Sequence, residues 1–328
     1  MRKGRWEEAV ALFERVTAHR PADPVARRGL ADAYKRLGRM NEALAAYDAL
    51  LGLVPRESRA GIQAERGEVL AILQQFDAAR EAFQEWADGD PKSAQARVRV
   101  GDTLVMLGRR EEGEEKFREA LRVDPSHSAA HFALGNLSFD MGRYSRSELD
   151  YKRAVASAPD FAEAWYCLAL AQCRGLKRDA AVDSCREAVR SDPNCLTYRM
   201  LLGKCLLELG RLPEAVEAYT QAAELAPEDW RPLAGVAAAY YEMDDHAQAV
   251  RILLRCVRMG ADDPMVYYYL GVIYNAAGDE RSALAALRRL EMLRSEDAIR
   301  MARLLREQTA PARLRRSARP RPSSTRAD

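Results

Sequence analysis

Histidine is nearly absent from this chain, with four in 328 residues: His19, His127, His131 and His246. His127 and His131 stand four apart, the spacing of a metal pair on one helix, but no third ligand accompanies them. They read as surface or turn residues, with no metal and no cofactor expected. The six cysteines (167, 173, 185, 195, 205 and 256) form no Cys-x-x-Cys pair and no disulfide framework. They are expected to be reduced thiols in a cytoplasmic protein, Cys185 and Cys256 as small core residues. No glycine-rich phosphate loop is present, since Gly203-Lys204 falls inside a helical pattern. No catalytic constellation is found, which argues against an enzyme. Long apolar runs are missing too. The longest, "VYYYLGVIY" at 266–274, falls far short of a bilayer span, so no transmembrane segment is expected. The start, "MRKGRWEEAV", has acidic residues where a secretory signal would be apolar.

Charge of one sign is also missing from most of the chain. Net charge is +2, but residues 310–328 hold six arginines and one aspartate, which leaves −3 for the remainder. A balance of that kind does not advertise specific nucleic-acid binding. The segment "APARLRRSARPRPSSTRAD" (310–328) reads as a disordered basic tail.

A period fills the rest. Prolines 21, 55, 91, 125, 159, 193 and 227 are separated by 34 residues at every step but one, which is 36. On that phase the chain divides into units 24–57, 60–93, 94–127, 128–161, 162–195, 196–229, 230–263 and 264–297. The eighth residue of each is small: Ala31, Gly67, Gly101, Gly135, Ala169, Gly203, Ala237 and Gly271. The twentieth is small as well, and the twenty-fourth is large in most units, as in Tyr47, Phe83, Phe117, Tyr151 and Tyr219. Two apolar stripes per unit, at i, i+3, i+4, i+7, predict two amphipathic helices. A glycine between them (Gly38, Gly108, Gly142, Gly210, Gly278) suits the left-handed residue that ends a helix. One such hairpin cannot bury its own faces, but stacked hairpins can. The expected fold is all-α, an α-solenoid without strands.

The stretches "HFALGNLSFDMGRYSRSELDYKRAVASAPDF" (131–161) and "YRMLLGKCLLELGRLPEAVEAYTQAAELAPED" (198–229) resemble the tetratricopeptide repeat consensus. The resemblance extends over 4–297 and implies that the α-solenoid is right-handed. Residues 1–23 then read as a partial repeat, its second helix only, with Ala9, Phe13 and Pro21 at the expected places. Either an upstream segment supplies the first helix, or a lone helix caps the array. Residues 298–309 read as a capping helix. The two residues inserted around Glu57–Arg59, with Arg66 and Trp86 at atypical places, predict a local irregularity.

The resemblance implies that the first helices line a concave groove. On that basis the partner-binding residues are Phe132, Asn136, Phe139, Tyr166, Arg174, Met200, Lys204, Tyr241 and Tyr268. The outer face would carry residues such as Glu148 and Lys152. The carboxylate clamp of chaperone-tail receptors and the asparagine ladder of the glycosyltransferase version are both missing. The implied function is a non-catalytic scaffold or adaptor holding a protein or peptide. The alternative is the interaction region of a longer enzyme, such as a transferase, whose catalytic part lies elsewhere. The sequence leaves partner and oligomeric state open.

Overall fold

The computed structural model describes residues 2–293, 296, 298–303, 305 and 306. Among them every regular element is helical. The basic tail, 310–328, lies outside the described residues, as do 304 and 307–309 of the expected end helix. The chain forms two compact units, Met1–Gly175 and Leu176–Asp328.

The first unit holds α1 (Arg2–His19), α2 (Pro24–Arg36), α3 (Met40–Leu51), α4 (Ala60–Ile72), α5 (Phe76–Gly89), α6 (Ala94–Met106), α7 (Arg110–Val123), α8 (Ser128–Asp140), α9 (Tyr144–Ser157) and α10 (Ala162–Arg174). Each helix packs on the next, and α8 also touches α6 and α10. The second unit holds α11 (Arg178–Ser191), α12 (Leu196–Glu208), α13 (Leu212–Leu225), α14 (Trp230–Glu242), α15 (His246–Arg258), α16 (Pro264–Ala276) and α17 (Glu280–Leu293). There too successive helices pack together, and α14 touches α12 and α16.

Close helix approach depends on the small residues. A Cβ at Gly101 would lie 2.4 Å from the Phe117 ring, and one at Gly135 would lie 2.5 Å from Tyr151. Both rings are 2% exposed, so each aromatic fills a space that only glycine leaves open. Tyr219 is held from two sides, by Gly203 and Gly235. In α1, Phe13 rests on Gly29 of α2 in the same manner, Val10 enters the core, and Tyr34 donates to Glu14 at 2.5 Å. Trp6, Leu12 and Val16 of α1 stay exposed.

The turn inside each hairpin uses one device throughout. Its left-handed residue is glycine at 38, 108, 142, 210 and 278, but Gln74, Leu176 and Asp244 adopt the same conformation at φ 58–59°. The following N–H reaches back to the carbonyl five residues earlier, as in Arg39 to Tyr34 and Gln75 to Leu70, both 2.9 Å. The two extra residues before α4 are absorbed in a 3₁₀ turn, Arg56–Ser58. Arg66 turns outward to Asp48 at 2.6 Å, and Trp86 packs beside Phe83.

A second recurring bond was not foreseen. The fourth residue of a first helix reaches the carbonyl six residues earlier, in the preceding turn. His131 meets Pro125 at 3.0 Å, Trp165 donates to Pro159 at 2.9 Å, Tyr267 donates to Ala261 at 2.8 Å, and Arg27 donates to Pro21 at 3.3 Å. This corrects the placing of His131, which is buried because its ring ties α8 to the turn before it. Beyond α17, Ala298, Ala302 and Leu305 are buried against Tyr267, Leu287 and Leu290, so this helical stretch covers the end of the last hairpin.

Candidate functional site

On the first-helix face of the first unit, α2, α4, α6 and α8 repeat one polar place as Asp32, Glu68, Asp102 and Asn136. The core tyrosine fifteen residues later fixes two of these. Tyr47 donates its hydroxyl to Asp32 at 2.6 Å, and Tyr151 donates to Asn136 at 2.7 Å. Burial and the acidic acceptor push the Tyr47 hydroxyl well above the ordinary phenol range, so it stays a donor. At the other two places the core ring is phenylalanine, Phe83 or Phe117, and no hydroxyl is offered. Glu68 is instead held by Lys35 at 2.6 Å, and Lys35 also reaches Glu65 at 2.5 Å. Asp102 has Arg99 at 3.8 Å, too far for a hydrogen bond. Burial pushes its carboxyl up to about 6, with Arg99 pulling the other way.

Concavities follow this face. One of about 430 Å³ lies over α6 and α8, with Val98, Val105, Phe117 and Phe132 on its apolar wall and Arg99, Asp102 and Asp140 among its polar groups. One of about 360 Å³ lies over α4 and α6, and one of about 280 Å³ lies between Asn136, Tyr151 and Leu170. Ile72 and Met106 project beside them, 56% and 63% exposed.

The side chains expected to bind divide into two kinds. Phe132 is half-buried between Tyr151 and Phe161, at ring distances of 5.8 and 4.8 Å, and shows one side to the 430 Å³ cavity. Phe139 packs edge-on against Tyr144 at 5.4 Å and lines the smallest cavity. Asn136 is exposed, with its oxygen occupied by Tyr151 and its amide NH₂ still able to donate. Tyr166 is half-buried and Arg174 exposed. In the second unit Lys204 is exposed on α12 and Met200 half-buried. Tyr241 packs on Tyr269 at 4.9 Å and stacks on His246 at 5.6 Å, and Tyr268 lies 6.1 Å from Tyr269. These tyrosines therefore pack between helices as well as facing outward. Ile72, Met106 and Asp102 were not singled out from the sequence. They lie on the first helices α4 and α6, but an isolated Ile or Met carries no binding signal in a sequence this apolar.

Glu148, expected on the outer face, is 6% exposed, because α9 turns that edge inward while Lys152 reaches over it at 2.8 Å. His127 caps α8 by accepting from the Ala130 N–H. Among the described residues no three His, Cys, Asp or Glu side chains gather as a metal site. No disulfide joins any of the six cysteines, and Cys185 and Cys256 lie in the core.

Among proteins of known sequence, the interferon-induced protein with tetratricopeptide repeats 2 of Cricetulus griseus is 30% identical over 96 residues. That match covers 29% of this chain, which spans about a fifth (20%) of the relative's length. Among solved structures, YrrB, described as a TPR protein with an unusual peptide-binding site, aligns with a TM-score of 0.53 at 19% identity, over 57% of this chain and 96% of its own. The C-terminal part of a TPR repeat-containing protein from Cytophaga hutchinsonii aligns with a TM-score of 0.55 at 15% identity, over 71% and 95%. Family profiles described as tetratricopeptide repeat match residues 1–64 and 206–268, then 98–160, 133–175 and 168–229, and finally 265–291. With its glycine–aromatic contacts recurring in that register, the chain belongs to the tetratricopeptide repeat family.

Proposed function

We propose that this protein is a non-catalytic cytoplasmic scaffold that holds a protein or peptide partner on its first-helix faces. The observation that carries the reading is the row of concavities over α4, α6 and α8, flanked by exposed Ile72 and Met106 and by side chains already fixed from the core. Apolar anchors beside pre-positioned polar groups are what a peptide needs, because little side-chain entropy is lost on binding. Phe132, Asn136, Phe139, Tyr166 and Arg174 belong to this face of the first unit. Met200, Lys204, Tyr241 and Tyr268 form the corresponding face of the second. No further chemistry is required of the chain.

The test is co-purification from the source cells with tagged full-length protein. Met106→Glu with Ile72→Glu should lose the partner with the melting temperature unchanged, since neither side chain is in the core. Lys204→Glu tests the second unit by itself. Arg118→Ala with Arg122→Ala, on the exposed edge of α7, should leave capture intact. Partner loss in the α7 variant, with retention in both first-helix variants, refutes the reading.

A further inference from the structure

Of the three cavities, the 430 Å³ one over α6 and α8 is lined by both Asp102 and Asp140, and its own cation, Arg99, stands too far from Asp102 for a hydrogen bond. Asp32 and Asn136 each receive a tyrosine hydroxyl, and Glu68 receives Lys35. Asp102, above Phe117, receives neither, and its nearest cation stands at 3.8 Å. Asp140, exposed on the same cavity, forms no ion pair among the described residues. The wall beneath is apolar, built from Val98, Val105 and Phe132. A site with a long greasy wall and two carboxylates at its edge matches a side chain with a methylene stem and a broad cationic head.

We propose that this cavity receives one arginine of a bound peptide, its stem on Val98 and Phe132 and its guanidinium against Asp102 and Asp140. The proposal rests on the reading of this face as peptide-binding. Arginine fits better than lysine because its planar, weakly hydrated head can donate to two carboxylates at once. A metal ion is a poorer match, since no third acidic or histidine ligand joins the pair.

The test uses full-length protein and a fluorescent, end-blocked pentapeptide, Ala-Leu-Arg-Leu-Ala, at low salt and pH 7.5. The comparison peptide carries citrulline, which keeps the shape and removes the charge. We expect the arginine peptide to bind about tenfold more tightly, the ratio given by roughly 1.4 kcal/mol of charge-assisted bonding. Asp102→Asn and Asp140→Asn should each cut that ratio, and together abolish it, with thermal melting retained. Equal binding of the two peptides overturns the arginine assignment. So does a preference that survives the double substitution, and so does absence of binding at millimolar peptide. Any of these outcomes leaves the broader reading to the Met106→Glu, Ile72→Glu capture result, so the two failures are told apart.

Discussion

Asp102 shows at the scale of one residue how the core sets the chemistry of the surface above it. Two of its equivalents, Asp32 and Asn136, accept a hydrogen bond from a buried tyrosine, whereas the core ring of Asp102's own repeat is Phe117. With its carboxyl held up at about 6 against an ordinary 3.8, the folded chain binds the proton more tightly than the unfolded chain does. The associated stability is fully present below about pH 4 and is lost as pH rises through 6. Asp102→Asn should therefore stabilise the protein at pH 7. The side chain is 42% exposed, so solvent screening reduces the gain to about 1 kcal/mol. Urea titrations of both proteins at pH 7 and pH 4 check this. The gain should vanish at pH 4, and destabilisation at pH 7 would contradict the account. The fourth residues of the first helices teach a related lesson. His131, Trp165 and Tyr267 make one bond with three chemistries, so no residue pattern announces it. Arg199 holds the equivalent place in α12, and two of its buried nitrogens find no partner there.

At the scale of the hairpin, steric fit decides stability. Gly135→Ala would place a methyl 2.5 Å from the Tyr151 ring, and that overpacking should cost about 1–3 kcal/mol. Phe117→Ala would empty the space beside Gly101, at a cost of about 3–5 kcal/mol. The opposite sign is expected in the turn after α4, where Gln74 holds a left-handed conformation at φ 59°. Gln74→Gly removes that strain and should stabilise by about 0.5–1 kcal/mol after the entropy of the added glycine is counted. Calorimetry on these three variants checks the signs separately. The 34-residue frame was readable because small and large residues recur at fixed places, and close helix packing admits few alternatives there. The left-handed turns at Gln74, Leu176 and Asp244 were not readable, because the hairpin imposes that conformation whatever residue occupies it. In the unit 162–195 the glycine has slipped by one, to Gly175, while Leu176 bears the positive φ. Aromatics were the least readable. Phe132 and Tyr241 lie at groove places by count, yet both spend much of their surface between helices, and spacing cannot divide a ring between core and solvent.

At the scale of the molecule, the fold supplies repeated first-helix faces that differ in what each repeat places there. The first unit places carboxylates, Ile72 and Met106, and the second places Lys204 and tyrosines. None of the helices among the described residues is long and apolar enough to cross a membrane. The central claim is that the partner lies on the first-helix face, and site-specific photo-crosslinking tests it most directly. A benzophenone amino acid is placed in turn at Ile72, at Met106 and, on the exposed edge of α7, at Arg122. The account predicts covalent capture of one partner species from positions 72 and 106 and none from 122. Capture from 122 with silence at 72 and 106 would contradict it.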